Sequence, residues 1–369
     1  LNHVALSSEK LKGYGAVKEG IWRLFHGLRT AENPEFWCDE YIDYILLNRK
    51  FSELAYALHR QLDFDGFYIH DFQLLPMGSM LPTAEPKIFR WHIPFRTHDL
   101  PRSWQLAFLK YLSYYDVVIV SSRTYLDELR RLGYKGDAFH VYPYIDPSQY
   151  TQPTIQQIQD LRERLGISEG DRVLLTVARL DPMKAQDKVI SALKRVISKF
   201  PNTKLVLVGD GSFSSSKLGL SKGERWLQYL KECAEREKVK ENVIFAGYLP
   251  DKDLGIAYAM CDVFILPSVR EGFGLVVVEA WLYKKPVIVS YYAGVADLIE
   301  DGVNGLLFDP KDTNQLASKI MKVLSDGDLA EKLGEKGFMT SKLCHIDEGI
   351  KKEVEILSKY LGGVRYAFV

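Results

Sequence analysis

The sequence lacks the features that mark several classes of protein. It contains only four cysteines, Cys38, Cys233, Cys261 and Cys344, which stand far apart and form no Cys-x-x-Cys pair. This spacing argues against a disulfide framework or a zinc site and predicts reduced, mostly buried thiols. No apolar run reaches the roughly eighteen residues of a membrane span, and we expect no signal peptide. These absences favour a cytoplasmic enzyme.

The chain also lacks an excess of charge of either sign. Lysine plus arginine number 48, as do aspartate plus glutamate, so the formal net charge is zero. This balance argues against a general nucleic-acid or anionic-membrane binder, although a local basic pocket stays open. With 369 residues, of which 47% are hydrophobic, the chain is long enough for two domains with packed cores.

Short apolar runs alternate with longer amphipathic stretches along the whole chain. Runs rich in Val, Ile, Leu and aromatic residues predict strands at 66–70, 87–91, 116–122, 139–143, 172–178, 204–209, 243–247, 263–267 and 286–290. Helical patterns lie between them, which is typical of parallel sheets covered by helices. We therefore predict an α/β fold of two Rossmann-like, doubly wound domains facing a cleft.

A proline-rich break, "PYIDPSQYTQPT" at 143–154, separates the two series of strands and is interpreted as a hinge. The predicted domains are 1–148 and 149–345, followed by a helix and tail at 346–369. The first twenty residues show no opening strand and no glycine-rich phosphate loop. We therefore expect the first domain to lack its usual first βα unit.

Two cations follow the strand at 172–178. Arg179 stands at its carboxyl end, and Lys184 comes five residues later, where a helix is predicted to start. Two cations beside helix amides suit a diphosphate. The alternative is a solvated turn in which Arg179 pairs with Asp181, and this segment alone leaves both open.

The segment "VREGFGLVVVEAW", at 269–281, surrounds an apolar run with two glutamates. Gly272 and Gly274 allow the backbone to approach a ligand closely, and the helix that begins near Leu275 would direct amides at phosphate oxygens. Glu279 falls on an apolar face, where ribose hydroxyls could satisfy its carboxylate. Glu271 lies on the loop. The alternative is that Glu271 pairs with Arg270 and that Glu279 is a solvated helix residue.

In the first domain, polar residues follow two predicted strands. His70 and Asp71 end one strand, and His92 ends the next, so all three should lie at the same sheet edge. Asp71 could accept a bond from a sugar hydroxyl, and His92 could donate to a sugar oxygen or support a leaving group. The many aromatic residues of this half fit a large core better than a sugar site when considered alone.

The motifs "ARLDPMK", "CDVFILPSVREGFGLVVVEAW" and "ADLIEDGVNGLLFDP" resemble those of the retaining GT-B glycosyltransferases that use nucleotide sugars. The resemblance implies that Arg179 and Lys184 bind the donor diphosphate, that Glu271 contacts the donor sugar and that Glu279 holds the ribose. It also implies three sets of backbone or lining contacts: to phosphates at Gly274, Leu275 and Val276; to the sugar at Gly272 and Phe273; and to the base near Tyr248 and Leu249.

The first domain carries "FYIHDFQLLPMGSML", "KIFRWHIPFRTHDLP" and "VYPYIDP", which resemble the trehalose-6-phosphate synthase group. In that group, residues that match Asp71 and Tyr41 bind or line the acceptor site, with Trp22 in the segment that leads into it. The histidine that matches His92 lies beside the donor sugar. The implied reaction moves glucose from a nucleoside-diphosphate glucose to glucose 6-phosphate.

Some positions depart from the synthase pattern. The loop reads "REGFGL" where the synthases usually have an aspartate and an asparagine, and Gly27 replaces an aromatic residue. An arginine expected after "LVGDG" has no match. The acceptor is therefore open between glucose 6-phosphate and free glucose, as in trehalose synthase, or another small molecule. A nucleotide-sugar epimerase and a non-catalytic nucleotide-sugar sensor are the rival functions.

The resemblance implies front-face transfer with retention, in which the acceptor hydroxyl enters on the side from which the diphosphate leaves. Asp71, His92 and Glu271 are the candidate catalytic residues. Two cations and helix amides can replace a metal, and no paired metal-ligand carboxylates are apparent, so we expect no metal and no cofactor. The donor base and the choice between monomer and homo-oligomer stay open.

Overall fold

The computed structural model describes residues 7–27, 40–211 and 222–361. Cys38 and the predicted tail from residue 362 onward lie outside these ranges. The chain divides into two compact units, one formed by residues up to Tyr142 and from Gly349, the other by Pro143–Glu348. The predicted domains, 1–148, 149–345 and 346–369, instead set the C-terminal helix apart from both.

The first unit contains a four-stranded parallel sheet in the order β1-β2-β3-β4. Its strands are β1 (Phe67–His70), β2 (Lys87–Arg90), β3 (Val117–Val120) and β4 (Asp137–His140). Its helices up to Tyr142 are α1 (Ser8–Phe25), α2 (Tyr41–Leu62), α3 (Arg102–Leu112) and α4 (Arg123–Leu132). Strand β4 begins two residues earlier than predicted, because an edge strand can accept the polar Asp137 in its ladder with Val117.

Aromatic side chains fill the interior of this unit. Phe25 packs against Trp91 and Phe108, with ring centroids 4.8 and 5.0 Å away, and all three side chains are fully buried. Phe95 lies edge-on to Trp91 at 5.0 Å. The aromatic richness of the first half is therefore largely a property of its core.

The second unit contains a six-stranded parallel sheet in the order β10-β9-β8-β5-β6-β7. Its strands are β5 (Arg172–Val177), β6 (Thr203–Val208), β7 (Val243–Gly247), β8 (Val263–Leu266), β9 (Val287–Ser290) and β10 (Leu306–Phe308). Its helices are α5 (Ile155–Arg164), α6 (Gln186–Lys199), α7 (Lys222–Arg236), α8 (Asp251–Met260), α9 (Leu275–Leu282), α10 (Thr313–Ser325) and α11 (Gly327–Ser341). Sequence patterns missed β10, since three residues are too few to show a period.

This strand order is the doubly wound arrangement of a Rossmann sheet. The chain builds outward from β5 to β7, then returns to place β8 on the other side of β5. Apolar residues of both faces are buried, as in Leu174, Val206 and Ile265, because helices cover both sides. The two parallel sheets confirm the predicted α/β class.

The last helix, α12 (Ile346–Tyr360), packs against the sheet of the first unit. Ile356 is buried in a small cluster with Ile88, Val117, Ile119 and Val141. The hydroxyl of Tyr360 bonds to the carboxylate of Asp137. Its amphipathic pattern alone could not say which sheet it covers. The thiols of Cys233, Cys261 and Cys344 are buried, as predicted.

Candidate functional site

The sheet of the second unit reverses its winding direction between β5 and β8. These strands are neighbours, with Leu174 paired to Val263 and Leu175 to Phe264. The segment with Arg179 and Lys184 follows β5, and the segment with Glu271 follows β8. Ligands of doubly wound sheets bind beyond the carboxyl ends of the strands at such a switch point. The topology thus brings two of the predicted motifs to the usual ligand position.

Lys184 and Glu271 meet there as an ion pair. The Nζ atom of Lys184 lies 2.5 Å from Oε2 of Glu271, and Ser268 Oγ donates to the same oxygen at 3.1 Å. The side chains are only 17% and 16% exposed, so each charge depends on its partner for compensation. Sequence patterns assigned Lys184 to a diphosphate and Glu271 to a sugar; the structure also joins them to each other.

Arg179 lies on the exposed surface at the end of β5. Its carbonyl accepts a bond from Gln186 Nε2 at 2.9 Å, which fixes the backbone at the start of α6. Asp181 is buried and accepts the Met183 amide at 2.9 Å, so it caps the turn at Pro182–Lys184. The structure thus shows Asp181 capping the turn, whereas the alternative from sequence paired it with Arg179.

The glycine loop before α9 depends on close backbone packing. Gly274 has φ of 106° and ψ of 55°, a left-handed conformation that strains other residues. A Cβ on Gly294 would meet the carbonyl of Gly272, and Val295 N donates to the Phe273 carbonyl at 2.8 Å. The Phe273 side chain is buried, at 5% exposure. The loop is therefore held against the segment that follows β9.

The residue at the amino end of α9 is Gly274, and among the described residues no side chain caps this end. Leu275 and Val276 form its first turn, where amides lack partners within the helix. Such a terminus carries a partial positive charge that favours anions. These amides lie directly after the loop that carries Glu271, as the predicted phosphate contact requires.

Glu279 is held by two phenol groups. Tyr258 donates to Oε2 at 2.6 Å and Tyr150 donates to Oε1 at 3.1 Å. Burial raises the pKa of Glu279, while these two hydrogen bonds act in the opposite direction. The carboxyl group borders a cavity of about 330 Å³, whose lining includes Tyr150, Asp251, Lys252, Tyr258, Glu279 and Tyr283. Its volume lies at the lower end of the range for ligand pockets.

Tyr248 and Leu249 follow β7, at the same carboxyl edge of the sheet. Tyr248 is 69% exposed, whereas Leu249 is buried at 8%. Pro250 comes next and starts α8, whose first residues, Asp251 and Lys252, line the cavity beside Glu279. The predicted base-binding segment thus leads directly into the wall of the Glu279 cavity.

In the first unit, Asp71 occupies a strained backbone position at the end of β1. Its φ of 65° and ψ of 164° fall in a region that is almost exclusive to glycine, which costs about 1–3 kcal/mol. The carboxylate accepts the amides of Phe72 and His92, while the buried Oδ1 has no partner among the described residues. Burial raises the pKa of this carboxyl group. Strain and an unsatisfied buried oxygen together are typical of a functional position.

His70 and His92 stand beside it at the ends of adjacent strands. Their rings stack with centroids 5.2 Å apart, and His70 Nδ1 lies 2.9 Å from His92 Nε2. Burial, followed by the charge of Arg90 and by His70, lowers the pKa of His92 to about 4. The pKa of His70 is also lowered, first by burial and then by Arg90. Both rings are therefore neutral near pH 7, and one donates its proton to the other.

Tyr41 and Trp22 both pack in the aromatic core of the first unit. Tyr41 bonds through its hydroxyl to the hydroxyl of Tyr111 and lies 5.9 Å, between centroids, from Tyr44. Tyr44 in turn bonds to the Phe72 carbonyl, next to Asp71. Trp22 stacks on His26 at 4.0 Å. Asp71, His70 and His92 form one cluster, which Tyr41 joins through Tyr44.

Several residues of the site were missed by the sequence analysis. Tyr150 and Tyr258 hold Glu279, Ser268 bonds Glu271, and Gly294 admits the glycine loop. Tyr14 of α1 also approaches Asp71, whose charge adds to the effect of burial in raising the Tyr14 pKa. Only Gly294 had a local signal, since it lies in "YYAGV" (291–295), directly after the predicted strand at 286–290. Tyr150 and Tyr258 meet Glu279 through tertiary packing.

Two further observations concern metals and membranes. Residues 7–27, 40–211 and 222–361 contain no group of three or more His, Cys, Asp or Glu side chains that could hold a metal ion. Within the described part of the chain, every helix is too short or too polar to span a bilayer.

Part of the second unit is similar to a known protein family. Residues 157–339 match the family model described as glycosyl transferases group 1. A trehalose synthase of Thermococcus litoralis is 28% identical over 277 residues, which cover 74% of this chain and 64% of the relative. The chain spans 39% and 64% of the length of the first curated relatives that it matches.

Solved structures share the fold over most of the chain. An α,α-trehalose 6-phosphate synthase from Burkholderia multivorans has a TM-score of 0.77 at 21% identity, covering 96% of this chain and 84% of its own. Anabaena HepE in complex with UDP-glucose has a TM-score of 0.72 at 23% identity, covering 85% and 82%. At these identities the likeness shows the fold, and the predicted α/β GT-B class is confirmed.

Proposed function

We propose that this chain is a retaining glucosyltransferase that uses a nucleoside-diphosphate glucose as donor. One observation carries the proposal: the Lys184–Glu271 pair lies at the switch point of the second sheet, directly before the uncapped helix α9. A cation, helix amides and a carboxylate suit a diphosphate that is joined to a sugar. A neighbour that was solved with UDP-glucose supports this donor class.

In this proposal, Arg179, Lys184 and the amides of Leu275 and Val276 bind the diphosphate and stabilise the negative charge that develops as it leaves. Glu271 accepts bonds from hydroxyls of the donor sugar. Backbone at Gly272, Phe273 and Gly274 lies against the sugar and phosphates. Glu279 binds the ribose, and the segment with Tyr248 and Leu249 borders the base.

The first unit supplies the acceptor side. Oδ1 of Asp71, which has no partner in the described part of the chain, is available to accept a bond from an acceptor hydroxyl. His92, neutral near pH 7, can donate to or accept from a sugar oxygen. Tyr41 and Trp22 would shape the acceptor pocket. The strain at Asp71 and its desolvated carboxyl group support this assignment.

Transfer would proceed on one face of the sugar. The bond between the anomeric carbon and the β-phosphate oxygen breaks while the acceptor oxygen bonds to the same carbon from the same side. The acceptor proton moves to the departing phosphate oxygen, so no further reactant is required. Lys184, Arg179 and the α9 amides supply the stabilisation, and we propose that neither a metal nor a cofactor takes part.

Glucose 6-phosphate is the proposed acceptor, because the first-unit motifs resemble the trehalose-6-phosphate synthases, a group that includes a structural neighbour. Free glucose is the second candidate, since a relative over 74% of the chain is named a trehalose synthase. A nucleotide-release assay with UDP-, ADP- and GDP-glucose, each with glucose 6-phosphate and with glucose, separates the two.

The same assay distinguishes the rival functions. Release of nucleotide together with a disaccharide supports the transferase. Release of a free epimerised sugar would identify an epimerase, and nucleotide binding without any turnover would identify a sensor. Replacing Arg179 and Lys184 together with alanine should reduce turnover at least about 100-fold. Lys194→Ala is the matched control, because Lys194 is an exposed lysine of α6 that pairs with Glu237. Equal turnover of the double variant and the control would refute the diphosphate assignment.

A further inference from the structure

The two phenol groups that hold Glu279 differ in how firmly they are placed. Tyr258 is fully buried on α8, with its ring 5.6 Å from Phe264 and 5.9 Å from Tyr283. Its hydroxyl bonds to Oε2 at the shorter distance, 2.6 Å. Packing on several sides leaves Tyr258 no other position without opening the core.

Tyr150 is held less tightly. It is half-buried, follows the short turn at Pro147–Gln149, and donates to Oε1 at 3.1 Å. It also lines the cavity onto which the Glu279 carboxyl group opens. A ligand that enters this cavity and donates hydroxyls to the carboxylate meets the Tyr150 hydroxyl at Oε1.

We propose that Tyr258 is the permanent positioning residue for Glu279, and that Tyr150 occupies the carboxylate oxygen which a ribose hydroxyl takes when a nucleotide binds. The inference rests on the proposed function, which assigns Glu279 to the ribose. It assigns opposite effects to the two tyrosines: Tyr258 supports nucleotide binding, and Tyr150 competes with the nucleotide for Glu279.

The chemistry of the groups fits this division. An ionised carboxylate accepts bonds on both oxygens, and a ribose offers a vicinal pair of hydroxyl donors. With Tyr258 fixed on Oε2, the carboxylate keeps its orientation while Oε1 exchanges one hydroxyl donor for another. Such an exchange conserves the number of bonds to the buried carboxylate, so neither state leaves it short of a partner.

The test compares Tyr258→Phe and Tyr150→Phe by calorimetric titration of the full chain with UDP, ADP and GDP at pH 7.5. Tyr258→Phe should weaken the nucleotide that the wild type binds best by about tenfold, the effect of one lost bond to a charged group. Tyr150→Phe should leave binding unchanged or tighten it, up to about tenfold, since a competitor is removed. Tyr134→Phe is the control, because it removes a buried hydroxyl of the first unit that donates to the Tyr115 carbonyl.

The pH profile separates positioning from a structural role. The groups that face Glu279 are Tyr258, Tyr150, Tyr283, Asp251 and Lys252. Burial raises the pKa of Glu279 and the Tyr258 bond opposes this rise, so Tyr258→Phe should raise it further. The Tyr258→Phe variant should then lose nucleotide affinity on acidification at a higher pH than the wild type does. A purely structural change would lower affinity without moving this midpoint.

The outcomes are distinct. If Tyr150→Phe binds the nucleotide about tenfold more weakly than the wild type, the competition is overturned. This comparison needs only the wild type, so it holds even if Tyr258→Phe fails to fold. An unchanged affinity and pH midpoint in Tyr258→Phe overturn the positioning role. Glu279→Gln binding as tightly as the wild type would instead refute the ribose assignment of the proposed function. A wild type that binds none of the three nucleotides would refute that function and this inference together.

Discussion

The Lys184–Glu271 pair makes a quantitative prediction about stability and binding together. The pair joins Nζ and Oε2 at 2.5 Å with side chains 17% and 16% exposed. At an effective dielectric of about 20, two unit charges at this distance attract by roughly 6–7 kcal/mol. Desolvation offsets most of this, so we expect a net coupling of about 2 kcal/mol, above the 0–1 kcal/mol of surface pairs.

The perturbation is a double-mutant cycle with Lys184→Met and Glu271→Gln. Chemical denaturation of the single and double variants gives the coupling as the non-additive part of their free energies of unfolding. Because the two units can unfold separately, the transition of the second unit is analysed on its own. Arg164 and Asp253 provide the control cycle, with the same 2.5 Å separation but side chains 56% and 25% exposed. Their coupling should stay below about 1 kcal/mol.

The two single variants should differ in their affinity for the nucleoside diphosphate. Under the proposed function Lys184 contacts the diphosphate, so Lys184→Met should weaken binding at least about tenfold. Glu271→Gln leaves the Lys184 ammonium without its anion, so binding of the anionic nucleotide should be unchanged or tighter, while turnover falls. A coupling between Lys184 and Glu271 below about 0.5 kcal/mol would refute the reasoning. Equal losses of nucleotide affinity in Glu271→Gln and Lys184→Met would also refute it.

Four further predictions concern other features of the chain. Gly274→Ala should destabilise the chain more than Gly302→Ala in thermal unfolding. Both glycines have positive φ, but a Cβ on Gly274 meets Leu266 and Val295, whereas a Cβ on Gly302 meets nothing within 4 Å. Equal losses of stability would contradict the packing argument. Asp71 has a raised pKa, so the wild type should lose stability relative to Asp71→Asn as pH rises from about 4, the unfolded value, through the folded pKa. The pKa of Glu128 is lowered by His98 and Arg131 against the effect of burial, so the wild type should lose stability relative to Glu128→Gln as pH falls. Two pH slopes of the same sign would contradict at least one of these two pKa directions. Transfer activity should survive excess EDTA, and a loss that added Mg²⁺ restores would show that a metal takes part.

The strands and the motif-bearing loops could be predicted because their signals are local. Short apolar runs located β5 and β8 to within one residue, and the segments after them carried Arg179, Lys184 and Glu271. Parallel strands place their carboxyl ends at one edge, so the loops were expected to share an edge before any contact was known. The strand β10 was not predicted, because a run of three residues is too short to show a hydrophobic period.

Contacts within the site were beyond the reach of local patterns. Lys184 and Glu271 are 87 residues apart, and Tyr150 and Glu279 are 129 apart. Whether such groups meet depends on strand order and on side-chain packing. Glu279 was correctly placed on a largely buried face from its neighbours, but nothing near it indicated that Tyr258 would satisfy it.

For Asp71 too, the sequence predicted the position of the residue but not its conformation or its contacts. Its position after a predicted strand indicated the sheet edge. Its positive φ, and the lack of a partner for its Oδ1 among the described residues, instead arise from how β1 and β2 meet around it. The sequence by itself determined the α/β class, the two strand series and the loops that carry charge, because apolar periodicity and turn residues act over a few positions. Only the tertiary structure decided that β5 and β8 are neighbours, that α12 covers the first sheet, and which groups compensate each buried charge. Those outcomes depend on long-range packing, which no short stretch of the chain encodes.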